Sequence, residues 1–371
     1  MPLLPLLIAG ATAAAVEPPA TFESESHPFR VEALLTGLQQ PWDMVFLPDG
    51  RALLTERRGG TIGLVDVERR TLAHLSGVPE NLHVQDAGMQ GITLHPGYAR
   101  NGWIYFAYSA GPPTRSTLAV DRARLSGTRL ADVERMFTAD AWSEDAYHYG
   151  ARLVFHDGFL FVTVGDRHHD ARAQENANHA GTILRLNADG SVPGDNPFVG
   201  QTGTRPEIWS YGHRNPQGLA VRPATGDLWS AEHGPRGGDE LNLIRRGGNY
   251  GWPITSHGWE YDGGPIGTGI PVRKDIETPV WVWAGTVAPS GLLFYTGDAF
   301  PGWRGDLLVG SMARSHINRL KLDGDEVVLE ERLMREHAGR VRFLAQGPED
   351  YVYFGNDAGQ LQRLAPVAQG R

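Results

Sequence analysis

The chain has 371 residues, 41% hydrophobic and 21% charged, so it has the material for a substantial core, and a disordered chain is excluded. Its formal net charge of −9, from 43 Asp and Glu against 34 Lys and Arg, argues against a nucleic-acid binder, because a phosphate backbone requires a basic surface. Cysteine is absent, which removes disulfide staples, thiolate metal sites and a Cys nucleophile without fixing the redox compartment.

Residues 3–16 (LLPLLIAGATAAAV) form a short apolar run ending in small residues, and a polar, Pro-containing stretch follows to His27. The run resembles the apolar and cleavage regions of a secretory signal, without the basic leading region, and it is too short to span a bilayer. The alternative is a disordered leader. We read residues 1–27 as a signal or leader segment and 28–371 as one catalytic domain in a periplasmic or secreted protein. No other segment reads as a membrane span.

From Phe46 onward one pattern recurs: apolar residues lead into a Pro/Asp/Gly turn, and an alternating apolar strand follows. It appears at Phe46 to Gly50 before Ala52 to Glu56, at Leu94 to Tyr98 before Trp103 to Tyr108, and at Phe155 to Gly158 before Phe159 to Val164. Three more copies lie at Val221 to Gly226, Phe294 to Gly305 and Gln346 to Asp350, each again followed by a strand. Every copy reads as a β-hairpin, and a lone hairpin cannot bury both faces. With 47 glycines and 25 prolines to make turns, the expected fold is all-β, a six-bladed β-propeller of about four strands per blade. The intervals 166–209 and 233–279 leave room for loops of functional size.

There is no Walker A loop, GxGxxG, HExxH, GxSxG or EF-hand spacing, so ATP, NAD and zinc-protease readings lose their usual support. Three segments beside expected strands are instead dense in polar residues. They are Tyr147 to Val154 (YHYGARLV), before a hairpin ending in Gly165-Asp166; Tyr211 to Gly218 (YGHRNPQG); and Ala231 to Glu240 (AEHGPRGGDE), continuing to GNYGWP at 248–253. In a propeller such segments cluster at one mouth of the central channel. His148 there, with Asp166 at a neighbouring strand end, suits a general base and its orienting partner. The plainer reading, a loop histidine bonded to backbone and an aspartate that forms a turn, stays open on composition alone.

The same segments carry a resemblance to the soluble quinoprotein glucose dehydrogenases, the aldose sugar dehydrogenases dependent on pyrroloquinoline quinone. It covers the chain from about Phe29 to Leu364. It rests on GLQQPWDMVFLPDGRALLTER, HYGARLVF with VTVGD, GHRNPQGLAV, SAEHGPRGGDELN, GGNYGWP, VAPSGLLFY and GRVRFLAQGPEDYVY, in that order. PDGR by itself is weak, whereas GHRNPQG and EHGPRGGDE together are specific.

The resemblance implies an enzyme that oxidises an aldose at C1 to the lactone, hydride passing to C5 of the quinone. His148 falls at the family's catalytic base and Asp166 at the aspartate that orients it. Arg214 and Asn215 match an Arg-Asn pair facing the quinone oxygens, where a guanidinium stabilises developing negative charge. Gly234 and Pro235 match main-chain carbonyl ligands of the calcium beside the quinone, a hard cation that such oxygens suit. Glu240 and Tyr250 match a second, structural calcium site.

Arg340 and Arg342 match an Arg-x-Arg pair that grips the cofactor carboxylates. Alternate residues of a strand point the same way, so two guanidiniums on one face suit that task; a solvated edge strand is the plainer reading. The chain also departs from the family. Ala313 stands where a quinone-contacting lysine is usual, with Arg314 beside it as the candidate substitute. The family's glutamine maps to Gln85 only with one inserted residue. His233 stands where the glucose-specialised branch has Gln, which tilts the reading toward broad aldose specificity. Trp252, Trp259, Trp281 and Trp283 are candidates to wall a sugar site or to fill blade cores, and one or two are expected near substrate.

Two rivals remain on the same scaffold, a calcium-dependent lactonase and a non-catalytic binding propeller. The first needs several Asp, Asn and Glu side chains converging on an axial calcium, and the second predicts loss of His148, Arg214 or the Arg340 and Arg342 pair. With no CxxCH haem attachment, electrons must leave to an external acceptor.

Overall fold

The computed structural model describes residues 20–367. Its strands form six antiparallel sheets, five of four strands and one of five. The first blade runs Pro41–Phe46, Ala52–Glu56, Thr61–Asp66 and Thr71–His74, each strand pairing with the next. The other innermost strands are Met89–Leu94, Leu153–His156, Pro216–Val221, Pro289–Phe294 and Val341–Gln346. Each of the six sequence copies is therefore the inner hairpin of one blade, and the expectation of a six-bladed propeller holds. Among the described residues helix is confined to one turn at Tyr98–Asn101 and two short 3-10 segments, Asp170–Gln174 and Pro301–Trp303.

The turn chemistry explains the hairpins. In the first copy Gly50 N donates to the Leu47 carbonyl and Asp49 Oδ1 accepts from Arg51 N, so the chain reverses on its own side chain and backbone. In every blade but the third, the first four residues of the innermost strand are buried on both faces, because each sheet is packed between two others. Six of the apolar clusters among the described residues lie one between each neighbouring pair of blades. Phe161, Ile183, Leu219 and Leu228 fill one, and Leu34, Met44, Leu54, Phe343 and Tyr353 fill another. The register shifts near the start of five innermost strands, for example between Pro216 and Gly218 and between Val341 and Phe343. Such bulges re-aim side chains, here beside the central cavity lined by Gln217 and Arg342.

Closure of the ring was not foreseen. Phe29–Leu35 joins the sixth blade as its fourth strand, with Phe29 opposite Pro366 and Val31 opposite Leu364. Ala20–Phe22 adds a fifth, with Phe22 opposite Phe29. The folded chain thus extends upstream of residue 28, and the apolar leader run at 3–16 lies outside the described residues. Among these residues no helix is long and apolar enough to cross a membrane.

Candidate active site

In an antiparallel hairpin the start of the first strand and the end of the second lie at the same end. Segments entering the innermost strands and leaving the second strands therefore meet at one mouth of the propeller. A cavity there is lined by Asp86, His148, Arg214, Asn215, Gln217, His233, Gly234, Pro235, Asp239, Tyr261, Thr286, Ala288, Met312, Arg340 and Arg342. Eight residues singled out from sequence are thus brought together: His148, Arg214, Asn215, His233, Gly234, Pro235, Arg340 and Arg342.

His148 Nδ1 lies 2.7 Å from Asp166 Oδ1, and Asp166 has no exposed surface. Both carboxylate oxygens accept further hydrogen bonds: His168 N donates to Oδ1 at 2.8 Å and Trp252 Nε1 to Oδ2 at 2.8 Å. Burial alone pushes the Asp166 carboxyl up, but the hydrogen bond and charge of His148, with the field of Arg214, hold it below the ordinary range. An ionised Asp166 only accepts, so it fixes the proton on Nδ1 and leaves the Nε2 lone pair free to take another.

A glycine makes this approach feasible. A Cβ on Gly165 would stand 2.2 Å from the His148 carbonyl oxygen, so the GD dipeptide is what lets the histidine segment lie against the strand end. Asn215 Oδ1 accepts from Gly150 N at 3.2 Å, so this side chain holds the same segment while it lines the cavity.

The second histidine at the cavity differs in kind. His233 Nε2 donates to the Pro289 carbonyl at 2.8 Å, and burial with the nearby Arg214 charge pushes its pKa down to about 3. It therefore stays neutral, and His148 is the histidine with an acidic partner.

Arg214 is buried beside Trp252, its guanidinium 5.2 Å from the ring centroid. Its backbone N donates to Glu232 Oε2 at 2.7 Å and its Nη1 to the Gly234 carbonyl at 3.2 Å, while Nε has no hydrogen-bond partner. Gly234 is itself fixed, since its N donates to Asp239 Oδ1, whose other oxygen accepts from Val287 N and Ala288 N. Burial pushes the Asp239 carboxyl up against the pull of these three donors.

Arg340 and Arg342 share one carboxylate. Arg342 Nε and Nη2 donate to Asp357 at 2.6 and 2.8 Å, and Arg340 Nε donates at 2.9 Å. Burial pushes Asp357 up, yet the two arginines more than offset it and hold the carboxyl low. Two cations on one anion leave a net positive face toward the cavity.

Two expectations, Gln85 and Arg314, land elsewhere. Gln85 does not line the cavity; its carbonyl accepts from the buried Arg57 at 2.6 Å, and the neighbouring Asp86 reaches the cavity instead. Arg314 is exposed and its Nε donates to the Thr286 carbonyl; the cavity is lined instead by Ala288 and by Met312, whose carbonyl accepts from Arg340 Nη1 at 3.2 Å. Glu240 and Tyr250 line a separate pocket with Glu232, Gly234 and Trp252. There the Tyr250 hydroxyl donates to the Leu243 carbonyl and accepts from Arg245 N. Burial and the Glu232 charge push the Glu240 carboxyl well up.

Among the tryptophans, Trp252 serves Asp166, Trp283 is core, Trp281 is partly buried and packed against that core, and Trp259 is 56% exposed. No tryptophan lines the cavity; its aromatic is Tyr261. Sequence reasoning missed Tyr261, Asp239 and Asp357. Of these, Asp357 had a usable signal, because it sits one residue past the hairpin partner of Val341.

A wider groove at the opposite end is lined by Asp49, Arg51, Asp66, Arg69, Glu349 and Arg363. Ion pairs between Arg51 and Asp49, Arg69 and Asp66, and Arg363 and Glu349 neutralise its charge.

Comparison with known proteins gives the family. The family model described as glucose/sorbosone dehydrogenase matches residues 38–363. The aldose sugar dehydrogenase YliI of Escherichia coli is 36% identical over 343 residues, covering 91% of this chain and 92% of its own. The crystal structure of the soluble aldose sugar dehydrogenase from Escherichia coli in the apo-form superposes with a TM-score of 0.87 at 35% identity, covering 91% and 100% of the two chains. The PQQ-bound form of aldose sugar dehydrogenase from Streptomyces coelicolor superposes with a TM-score of 0.76 at 25% identity, covering 90% and 97%. The chain belongs to the glucose/sorbosone dehydrogenase family and is an oxidoreductase.

Proposed function

Given its place in the glucose/sorbosone dehydrogenase family, we propose that this protein oxidises aldose sugars at C1 to the lactone, with pyrroloquinoline quinone beside calcium as its cofactor. The observation that carries the reading is one cavity with a histidine backed by a buried carboxylate on one side and Arg214, Arg340 and Arg342 on the others. A lactonase would need carboxylates and amides converging on a metal. Among the described residues no three His, Cys, Asp or Glu side chains are grouped to hold one.

The residues present fit an anionic planar cofactor. Arg340 and Arg342 present forked donors beyond those given to Asp357 and, from Arg340 Nη1, to the Met312 carbonyl, as a polycarboxylate requires. Arg214 Nε and Gln217 Oε1 are buried polar atoms without partners beside the cavity, and a bound polar ligand would satisfy them. Calcium would take the Gly234 and Pro235 carbonyls, since the chemistry available there is hard oxygen. A second calcium would take the Glu240 carboxylate and the Tyr250 carbonyl, because the Tyr250 hydroxyl is already committed and a cation would relieve the Glu232–Glu240 repulsion.

When bound, the calcium-polarised quinone supplies a two-electron acceptor for hydride. The chain does the rest. His148 Nε2 takes the proton of the C1 hydroxyl as hydride departs, and Asp166 stabilises the resulting imidazolium. Arg214, its backbone held by Glu232 and its Nη1 by the Gly234 carbonyl, provides preorganised positive charge where negative charge develops. Tyr261, 69% exposed at the cavity edge, offers a ring face to the sugar. With no cysteine for a covalent haem, electrons pass to an external acceptor. The apolar run at 3–16 supports export to the periplasm or beyond.

The test is reconstitution of purified protein with the quinone and calcium, assayed with several aldoses and an artificial acceptor. Dye reduction that depends on both additions supports the reading. No reduction, together with no spectral sign of quinone uptake, would overturn it.

A further inference from the structure

Trp42, Asp43 and Arg152 fall in the motif stretches, as does the cavity residue Gln217, yet the first three have no part in the chemistry above. The fold brings them to one point. Arg152, four residues after the base in HYGAR, is buried with Asp43. Its Nη1 pairs with Asp43 Oδ1 at 2.6 Å, its Nε donates to the Gln217 carbonyl at 3.0 Å and its Nη2 to the Arg342 carbonyl at 3.1 Å. The guanidinium lies 4.2 Å from the centroid of the Trp42 ring. Asp43 in turn accepts from Ile92 N at 3.1 Å through its other oxygen. One ion pair thus ties the innermost strands of the first, second, third, fourth and sixth blades.

Stability alone is a poor reason for this pair. Burial pushes the Asp43 carboxyl up and the Arg152 guanidinium down, so each charge costs free energy to keep, and apolar replacements of buried pairs are often no less stable. Its contacts point to a different role. Gln217 and Arg342, whose carbonyls Arg152 grips, line the cavity, and Arg152 continues the segment that carries His148. Asp357 fixes the Arg342 side chain, and Arg152 fixes its backbone.

We propose that Arg152 is a positioning residue that sets the register between the His148 segment and the Arg342 strand, so that base and carboxylate grip face the same bound molecule. The proposal rests on the quinone reading for what is bound, but not for the linkage itself.

The test compares Arg152→Met, Arg152→Lys and the double variant Arg152→Met with Asp43→Leu. Three readouts are needed: unfolding stability, quinone affinity with calcium, and amide exchange of the apo-protein. The double variant leaves no lone buried charge, so it recovers stability lost in Arg152→Met. It still binds quinone about tenfold more weakly, the scale of losing buried hydrogen bonds, and exchanges faster at 148–152 and 341–346. Arg152→Lys keeps the Asp43 contact but not the forked donation to two carbonyls, and stays weakened. A double variant with wild-type quinone affinity and wild-type exchange would overturn the proposal. If the wild-type protein takes up no quinone while exchange is still faster in the double variant, the cofactor reading falls and the linkage holds.

Discussion

Asp166→Asn separates orientation of the base from binding of the cofactor. In the wild type both carboxylate oxygens accept, from His148 and His168 N on one side and from Trp252 Nε1 on the other. An amide cannot satisfy that set. With its NH₂ toward Trp252 two donors face each other, and with its NH₂ toward His148 the ring must reverse its tautomer and present Nε2–H to the sugar. The variant also loses the charge that supports the imidazolium. Unit charges about 4 Å apart at an effective dielectric of about 20 interact by about 4 kcal/mol, which corresponds to a loss of about 10³ in kcat. Asp166 does not line the cavity, so quinone affinity should change by only a few-fold. The assay is turnover of the reconstituted protein at saturating sugar, alongside a spectroscopic quinone titration. A kcat within tenfold of wild type at full cofactor loading would refute the assignment of His148 and Asp166 as base and orienting partner.

Other substitutions probe the remaining parts. His148→Ala should bind quinone normally and turn over negligibly, whereas changing Arg340 and Arg342 together to Ala should weaken quinone binding; equal loss of cofactor in both would sink that division of labour. Gly165→Ala must push the His148 carbonyl aside, and overpacking of this kind costs about 1–3 kcal/mol; urea unfolding and kcat should both register it, and a variant unchanged in both would contradict the close approach. Asp357 is held below its unfolded pKa, so its stabilisation is present above the ordinary carboxylate range and lost as pH falls through the folded value. Asp357→Asn should therefore lower stability at neutral pH by about 1–3 kcal/mol and converge on wild type in acid, and a gap that persists at low pH would contradict it.

The blades were legible because each inner hairpin repeats its own local turn chemistry, as in Phe46 to Gly50 and Gln346 to Asp350. Their closure was not, because Phe29–Leu35 is a lone strand whose partner, Gln360–Pro366, lies at the far end of the chain. At the site, His148, Arg214, Arg340 and Arg342 stood out by resemblance, and the fold gathers them. What sequence could not give is where a long side chain spends its donors. Arg314 sits next to the right position, yet donates to the Thr286 carbonyl outside the cavity. Arg152 looks like one more charge in a motif until its three partners from three other blades are seen. The Gln85 position depended on a single insertion, and the loop settles it by turning its carbonyl onto Arg57 and leaving Asp86 at the cavity.

The central claim is hydride transfer from sugar C1 under base assistance by His148. The most direct measurement is anaerobic single-turnover reduction of the quinone-loaded, calcium-loaded protein, with an ordinary aldose and the same aldose deuterated at C1. The account predicts bleaching of the oxidised cofactor with a primary isotope effect, lactone as the product, and a large fall in rate for His148→Ala at full loading. Reduction without an isotope effect in a chemistry-limited variant, or a quinone that sugar leaves oxidised, would contradict it.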